Sequence, residues 1–218
     1  MSTEAAFIFD MDGVLVHSNP DHKKAIDIFC KRYNKSVSEE YLRQNVYGTT
    51  NREWIPKVFG ELSTEEVDRL ADEKEALFRE IFDPEANRVP GILQFLEAGR
   101  SEGTKLAVGT SAPVENENFI LERLGITGYF DVILNSSDVT HSKPHPEIYL
   151  KAIEKLGLKP TQCVVFEDSV AGVESGNRAG CKTVGITTTH TPEEMKDCAM
   201  VVKDFEGLEP AGVLDLLS

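Results

Sequence analysis

The chain has 218 residues, long enough for one large domain or for a core with an inserted subdomain, and its 37 acidic against 23 basic side chains leave a formal net charge of −14. That charge opposes non-specific attachment to nucleic acid or to anionic membranes, so neither is expected as a partner, and no apolar stretch approaches membrane-spanning length. The four cysteines, Cys30, Cys163, Cys181 and Cys198, show no CxxC pair and no metal-ligand spacing with His, so they read as reduced thiols of a cytoplasmic protein, and the N-terminus lacks the basic n-region of a signal peptide.

In chain order, the apolar run Ala5 to Phe9 stops at Asp10 and Asp12 with Gly13 behind them. This predicts a buried strand that delivers two carboxylates to a sharp turn at its C-terminal end. A strand running into an Asx-type turn would account for the same residues without any chemistry. A calcium EF-hand is excluded, because its loop needs Gly at the sixth position and here Gly is fourth. From Pro20 to Phe82 the apolar residues recur at helical spacing. Ala25, Ile26, Phe29 and Tyr33 mark one helix, and Ser36 with Glu39, Thr50 with Glu53 and Ser63 with Glu66 are capping-box pairs that could begin three more. The last helix, residues 64–82, carries Lys74 on its apolar stripe of Val67, Leu70, Leu77 and Phe78, a position that costs desolvation unless an anion meets it or the chain snorkels. His22 shares the face of Ala25, Ile26 and Phe29.

After Pro84, Pro90 and Gly91 helix and strand alternate, with strands expected at residues 106–109, 132–134, 163–168, 183–186 and 200–202 and helices at 92–100, 114–124 and 146–156. Gly172 and Gly176 read as the small face of a further helix packed on the sheet, with Gly180 capping it. The expected fold class is α/β: a parallel sheet flanked by helices in residues 1–16 and 87–218, with an all-helical cap subdomain inserted as residues 17–86.

Strand ends and loops then bring together Asp10 and Asp12, Thr110 and Ser111, Lys143, and Glu167 and Asp168. Ligands of open α/β sheets bind beyond the carboxyl ends of the strands. Carboxylates, hydroxyls and an amine there suit phosphate and a divalent cation, and an all-oxygen donor set suits Mg2+ rather than zinc.

The segments DMDGV, VGTS, SKPHPEIY and FEDSVAGVESGNRAG, in this order, resemble the four motifs of the haloacid-dehalogenase superfamily, and the likeness runs the length of the chain. It implies a Rossmann-like core with a helical cap after the first motif, of the branch containing small phosphatases and β-phosphoglucomutases. The resemblance assigns Asp10 as the nucleophile that forms an aspartyl-phosphate, and Asp12 as general acid and then base. Thr110, Ser111 and the amides after them would hold the transferring phosphoryl group, and Lys143 would offset its charge. Asp10, Asp168 and the Asp12 backbone carbonyl would bind Mg2+, with Glu167 as a further acidic contributor.

In the cap, the resemblance implies that His22 and Lys74 reach the substrate, and Arg52 stands one residue from the position of a sugar-phosphate arginine in the mutases. Against a mutase, Ala112, Pro113 and Val114 replace the Lys-Asn pair that would hold a second phosphate. The expectation is therefore an Mg2+-dependent phosphatase of a small phosphorylated metabolite, most simply a sugar phosphate, acting as a monomer. A β-phosphoglucomutase-type isomerase and a non-catalytic metabolite-binding protein on the same fold are the alternatives.

Overall fold

The computed structural model describes residues 4–46 and 50–218, and the start of the segment that leads to Arg52, Tyr47 to Thr49, lies outside them. The chain divides into two compact units, Met1–His17 with Pro84–Ser218, and Ser18–Asp83.

In the first unit the described residues form a six-stranded, wholly parallel sheet. In chain order its strands are β1 (Ala6–Phe9), β2 (Lys105–Gly109), β3 (Val132–Leu134), β4 (Cys163–Glu167), β5 (Lys182–Ile186) and β6 (Met200–Val202). Their spatial order is β3-β2-β1-β4-β5-β6, so the chain builds outward from β1 on one side and then returns to build on the other. The order therefore reverses between β1 and β4, the place where open α/β sheets leave a crevice at their carboxyl ends. Phe9 lies opposite Val108 on one side and Phe166 on the other, and the Asp10 amide donates to the Phe166 carbonyl at 3.0 Å.

All four residues of β1 are buried, as a central parallel strand requires, and successive side chains go to opposite faces. Phe7 and Phe9 meet Phe95, Phe166 and Phe205, with Phe9 and Phe166 stacked at a centroid distance of 4.7 Å. Ala6 and Ile8 join the opposite cluster with Ala107, Tyr149, Ala152 and Val165. Aromatic pairs of this kind add about 0.5–1.5 kcal/mol each beyond their buried area. Four cysteines are free thiols, and burial pushes Cys163 and Cys181 up to about 12, which keeps them protonated.

The same unit holds the flanking helices. The α-helices of the two units, in chain order, are α1 (Asn19–Arg32), α2 (Glu39–Asn45), α3 (Asn51–Phe59), α4 (Thr64–Ile81), α5 (Ile92–Ser101), α6 (Val114–Leu124), α7 (Glu147–Leu156), α8 (Val170–Arg178) and α9 (Pro210–Leu214). The first four make up the second unit and the others belong to the first. Two local readings need correction. Ser38, not Ser36, caps α2, because its extended backbone places the hydroxyl where it accepts from the Tyr41 amide at 3.2 Å. The strand expected to include Asp168 ends at Glu167, since the next residues turn into α8. Gly180, with a φ of +85°, follows the C-terminus of α8 as anticipated.

The second unit is all-helical, packed around Phe29, Trp54, Ile55, Leu70 and Phe78. Capping of α4 is reciprocal: Ser63 Oγ accepts from the Glu66 amide and the Glu66 carboxylate accepts from the Ser63 amide. Among the described residues no helix is long and apolar enough to cross a membrane.

Candidate active site

Three adjacent strands end in polar residues. β1 delivers Asp10, β2 delivers Thr110, and β4 delivers Glu167 and then Asp168. The loop between β3 and α7 supplies Lys143, whose Nζ donates to Asp10 Oδ1 at 2.8 Å, Glu167 Oε1 at 2.7 Å and the Gly109 carbonyl at 3.0 Å. One ammonium thus ties the ends of β1, β2 and β4. The Asp10, Glu167 and Asp168 carboxylates each place an oxygen within 4.8 Å of the others, and all three residues are buried.

Glu167, with no exposure, accepts from five donors: Lys143 and the Tyr149 hydroxyl (2.5 Å) on Oε1, and the amides of Asp168 and Ser169 with the Ser169 hydroxyl on Oε2. Sequence reasoning missed Tyr149. Its signal was a hydroxyl on the buried face Tyr149, Ala152, Ile153, Leu156 of α7, where burial demands an acceptor. Asp168 is framed by residues that the sequence did not single out. Thr189 Oγ1 makes a short hydrogen bond to its Oδ2, and His190 Nδ1 lies 3.0 Å from its carbonyl. Next to them, Thr188 Oγ1 donates to the Gly13 carbonyl at 2.5 Å.

Two glycines make this crowding possible. A Cβ at Gly13, where φ is +77°, would sit 2.0 Å from Asp168 Oδ2, and one at Gly172 would sit 1.9 Å from the Glu167 carboxylate. Gly172→Ala is therefore expected to push Glu167 off Lys143 and Tyr149. It should lower stability by about 1–3 kcal/mol, the cost of leaving buried polar groups unsatisfied, and turnover should fall with it. Denaturant melts beside steady-state kinetics measure both; an alanine variant of wild-type stability would show that the carboxylate has somewhere else to go.

The electrostatics follow from three carboxylates around one ammonium. Burial pushes Asp10 up to about 7; Lys143 opposes this, but Glu167 and Asp12 add to it. Asp168 is likewise raised by burial, then by Glu167 and Asp10. Burial alone would discharge Lys143, yet Asp10 and Glu167 hold it firmly protonated. With all three carboxylates ionised the cluster would carry more negative charge than its lysine neutralises, which is the situation a divalent cation resolves. The donor atoms are carboxylate oxygens without His or Cys, a set that fits Mg2+.

Asp12 stands beyond the end of β1, half-buried, and bridges to Val16. Thr110, 1% exposed, accepts the Ala112 amide on Oγ1 at 3.1 Å, and Ser111 is exposed in the bend before α6. His22, Lys74 and Arg52 belong to the second unit. There Lys74, 4% exposed, donates to Glu75 Oε1 at 2.8 Å and lies 3.0 Å from His22 Nδ1, while His22 stacks on Phe78. The anion that the buried lysine required is thus its own neighbour. Burial would raise the Glu75 carboxyl, but Lys74, His22 and Asn51 bring it down to about 2. Arg52 forks Asp68 through Nε and Nη2 at 2.9 and 3.2 Å on an exposed surface of this unit.

Comparison with known proteins adds four findings. Residues 7–186 match the sequence profile of the haloacid dehalogenase-like hydrolases. A phosphorylated carbohydrates phosphatase of Thermotoga maritima is 35% identical over 184 residues, covering 82% of this chain and 83% of that protein. Among solved structures, a HAD hydrolase of family IA, variant 3, from Entamoeba histolytica superposes with a TM-score of 0.90 at 28% identity, covering 99% of both chains. A β-phosphoglucomutase from Clostridium difficile superposes with a TM-score of 0.85 at 25% identity, covering 99% of this chain and 97% of the other.

Proposed function

The chain belongs to the haloacid dehalogenase-like hydrolase family, and on that premise we propose that it is an Mg2+-dependent phosphatase that cleaves a sugar phosphate or similar small monoester through an aspartyl-phosphate. That it is a phosphoric monoester hydrolase follows from the family and its phosphatase relatives; the metal, the intermediate and the substrate class are the added steps. The observation that carries them is the Lys143 ammonium bridging Asp10 and Glu167 inside a buried cluster of three carboxylates.

In the proposed reaction an Asp10 carboxylate oxygen attacks phosphorus as the bond from phosphorus to the ester oxygen breaks. Asp12 gives its proton to the departing oxygen, releasing the alcohol. A water then attacks the aspartyl-phosphate, Asp12 takes the proton from that water, and inorganic phosphate leaves with Asp10 restored. Lys143 offsets the charge of the nucleophile and of the phosphoryl group, and Glu167, tied by five donors, holds Lys143 in place. Thr110 and the amides that lead into α6 receive the phosphoryl oxygens. Asp10, Asp168 and the Asp12 carbonyl would hold Mg2+, with Glu167 adding charge, and the ion's chemistry there is to neutralise the carboxylates and the phosphate oxygens.

The likeness to a β-phosphoglucomutase keeps a second reading in view, transfer to a sugar hydroxyl rather than to water. One experiment separates the two: phosphate release with Mg2+ across a panel of sugar phosphates and other monoesters, beside a coupled assay for isomerisation of β-glucose-1-phosphate. Release from a subset of sugar phosphates is expected. Isomerisation without release would replace the phosphatase by the mutase, and no turnover in either assay would sink both.

A further inference from the structure

A second group of metal-ligating side chains lies outside the carboxylate cluster, in the loop that delivers Lys143. One ring nitrogen each of His141 and His145 and a carboxylate oxygen of Glu147 lie within 4.8 Å of one another, and both histidines are exposed. The imidazole rings face each other at a centroid distance of 4.5 Å, tilted by 32°. His141 Nδ1 is 2.9 Å from Glu147 Oε2, so ring and carboxylate already approach within bonding reach.

The three groups are held before any ligand arrives. Glu147 Oε2 also accepts the His141 amide at 2.9 Å, and Oε1 accepts the Thr140 amide at 3.1 Å and Lys151 Nζ at 2.7 Å. From α8, Ser175 Oγ donates to the His145 carbonyl at 2.8 Å. The carboxylate therefore pins the backbone of one histidine, and a neighbouring helix pins the other.

We propose that His141, His145 and Glu147 form a binding site for a borderline divalent cation of the zinc class, separate from the oxygen-only cluster at Asp10 and Asp168. Two imidazoles and one carboxylate are the donors that zinc, nickel and copper take in preference to magnesium, and three protein ligands at an exposed position leave room for water as the fourth. The net charge of −14 draws cations toward the surface. Its place gives the site a consequence. His141 and His145 stand two residues before and two after Lys143, so a bound cation ties together both ends of the turn that carries the lysine.

The test is a zinc titration followed by calorimetry in a large excess of Mg2+, which keeps the carboxylate cluster occupied, on the wild-type chain and on the His141→Ala, His145→Ala double variant. The wild type is expected to bind one zinc ion more than the double variant. Equal stoichiometry in the two, or binding in neither, overturns the site. Should the double variant fail to fold, histidine proton NMR of the wild type during cobalt addition decides instead: selective broadening of the His141 and His145 signals supports the site, and uniform broadening of all five histidines overturns it.

Discussion

Asp10→Asn is expected to abolish turnover while raising the melting temperature of the metal-free protein. The amide keeps an oxygen that can still accept from Lys143, so the packing survives, but it cannot attack phosphorus. Removing a nucleophile from a concerted set costs about 10⁴-fold or more in kcat. The stability gain follows from charge crowding. Burial pushes Asp10 up to about 7 in the folded chain from 3.8 ordinarily, so between those values the folded state holds a proton that the unfolded chain has lost. Its contribution to stability therefore falls as pH rises through that window and is lowest above about 7, by about 1.4 kcal/mol for each pH unit of displacement. Asparagine removes this penalty. In EDTA at pH 8 the variant should melt higher by roughly 4 °C or more, given a chain of this size. Added Mg2+ should reverse the order by stabilising the ionised wild-type carboxylate. Retained turnover would overturn the nucleophile assignment, and a lower melting temperature in EDTA would overturn the account of the charge.

Lys143→Ala is expected to do the opposite to stability. It removes the ammonium that Asp10 and Glu167 share and leaves two buried carboxylates without it. Breaking a buried pair from one side costs about 3–5 kcal/mol. The sign of the pH dependence is fixed by the acids that remain. Without the ammonium they bind protons more tightly in the folded state, so the penalty is full at pH 8 and shrinks as pH falls and they protonate. Urea melts at pH 5 and pH 8 in EDTA measure this difference, and a penalty independent of pH would mean that lost packing of the lysine stem, not charge, sets it. Turnover should fall by about 10²–10³-fold, the usual effect of removing one group that stabilises transition-state charge.

Much of the molecule was legible in the sequence for a physical reason: strands, caps and turns are short-range. The apolar run before Asp10, the Ser63 and Glu66 pair and the glycine after α8 each announced a local structure that exists. The Ser36 reading failed because two serines two residues apart compete for one helix start, and only the backbone conformation at Ser38 decides between them. Arg52 and Lys74 were legible as cations but not by their partners. Asp68 lies 16 residues from Arg52 on another helix, and Glu75 adjoins Lys74, where helical geometry gave no reason to expect the two charges to meet.

The sequence by itself determined the chemistry available: which acids follow strands and which loop holds a lysine. Only the tertiary structure decided what each group answers to. Lys143 meets Asp10 across 133 residues, Tyr149 meets Glu167 across 18, and Thr189 meets Asp168 across 21. These pairs rest on strand order. With β1 between β2 and β4, the parallel register brings their carboxyl ends to one crevice, where burial and mutual repulsion raise the acids and hold the lysine charged. Periodicity records which face of a strand is buried, but which strand lies beside it is settled by the packing of the whole sheet.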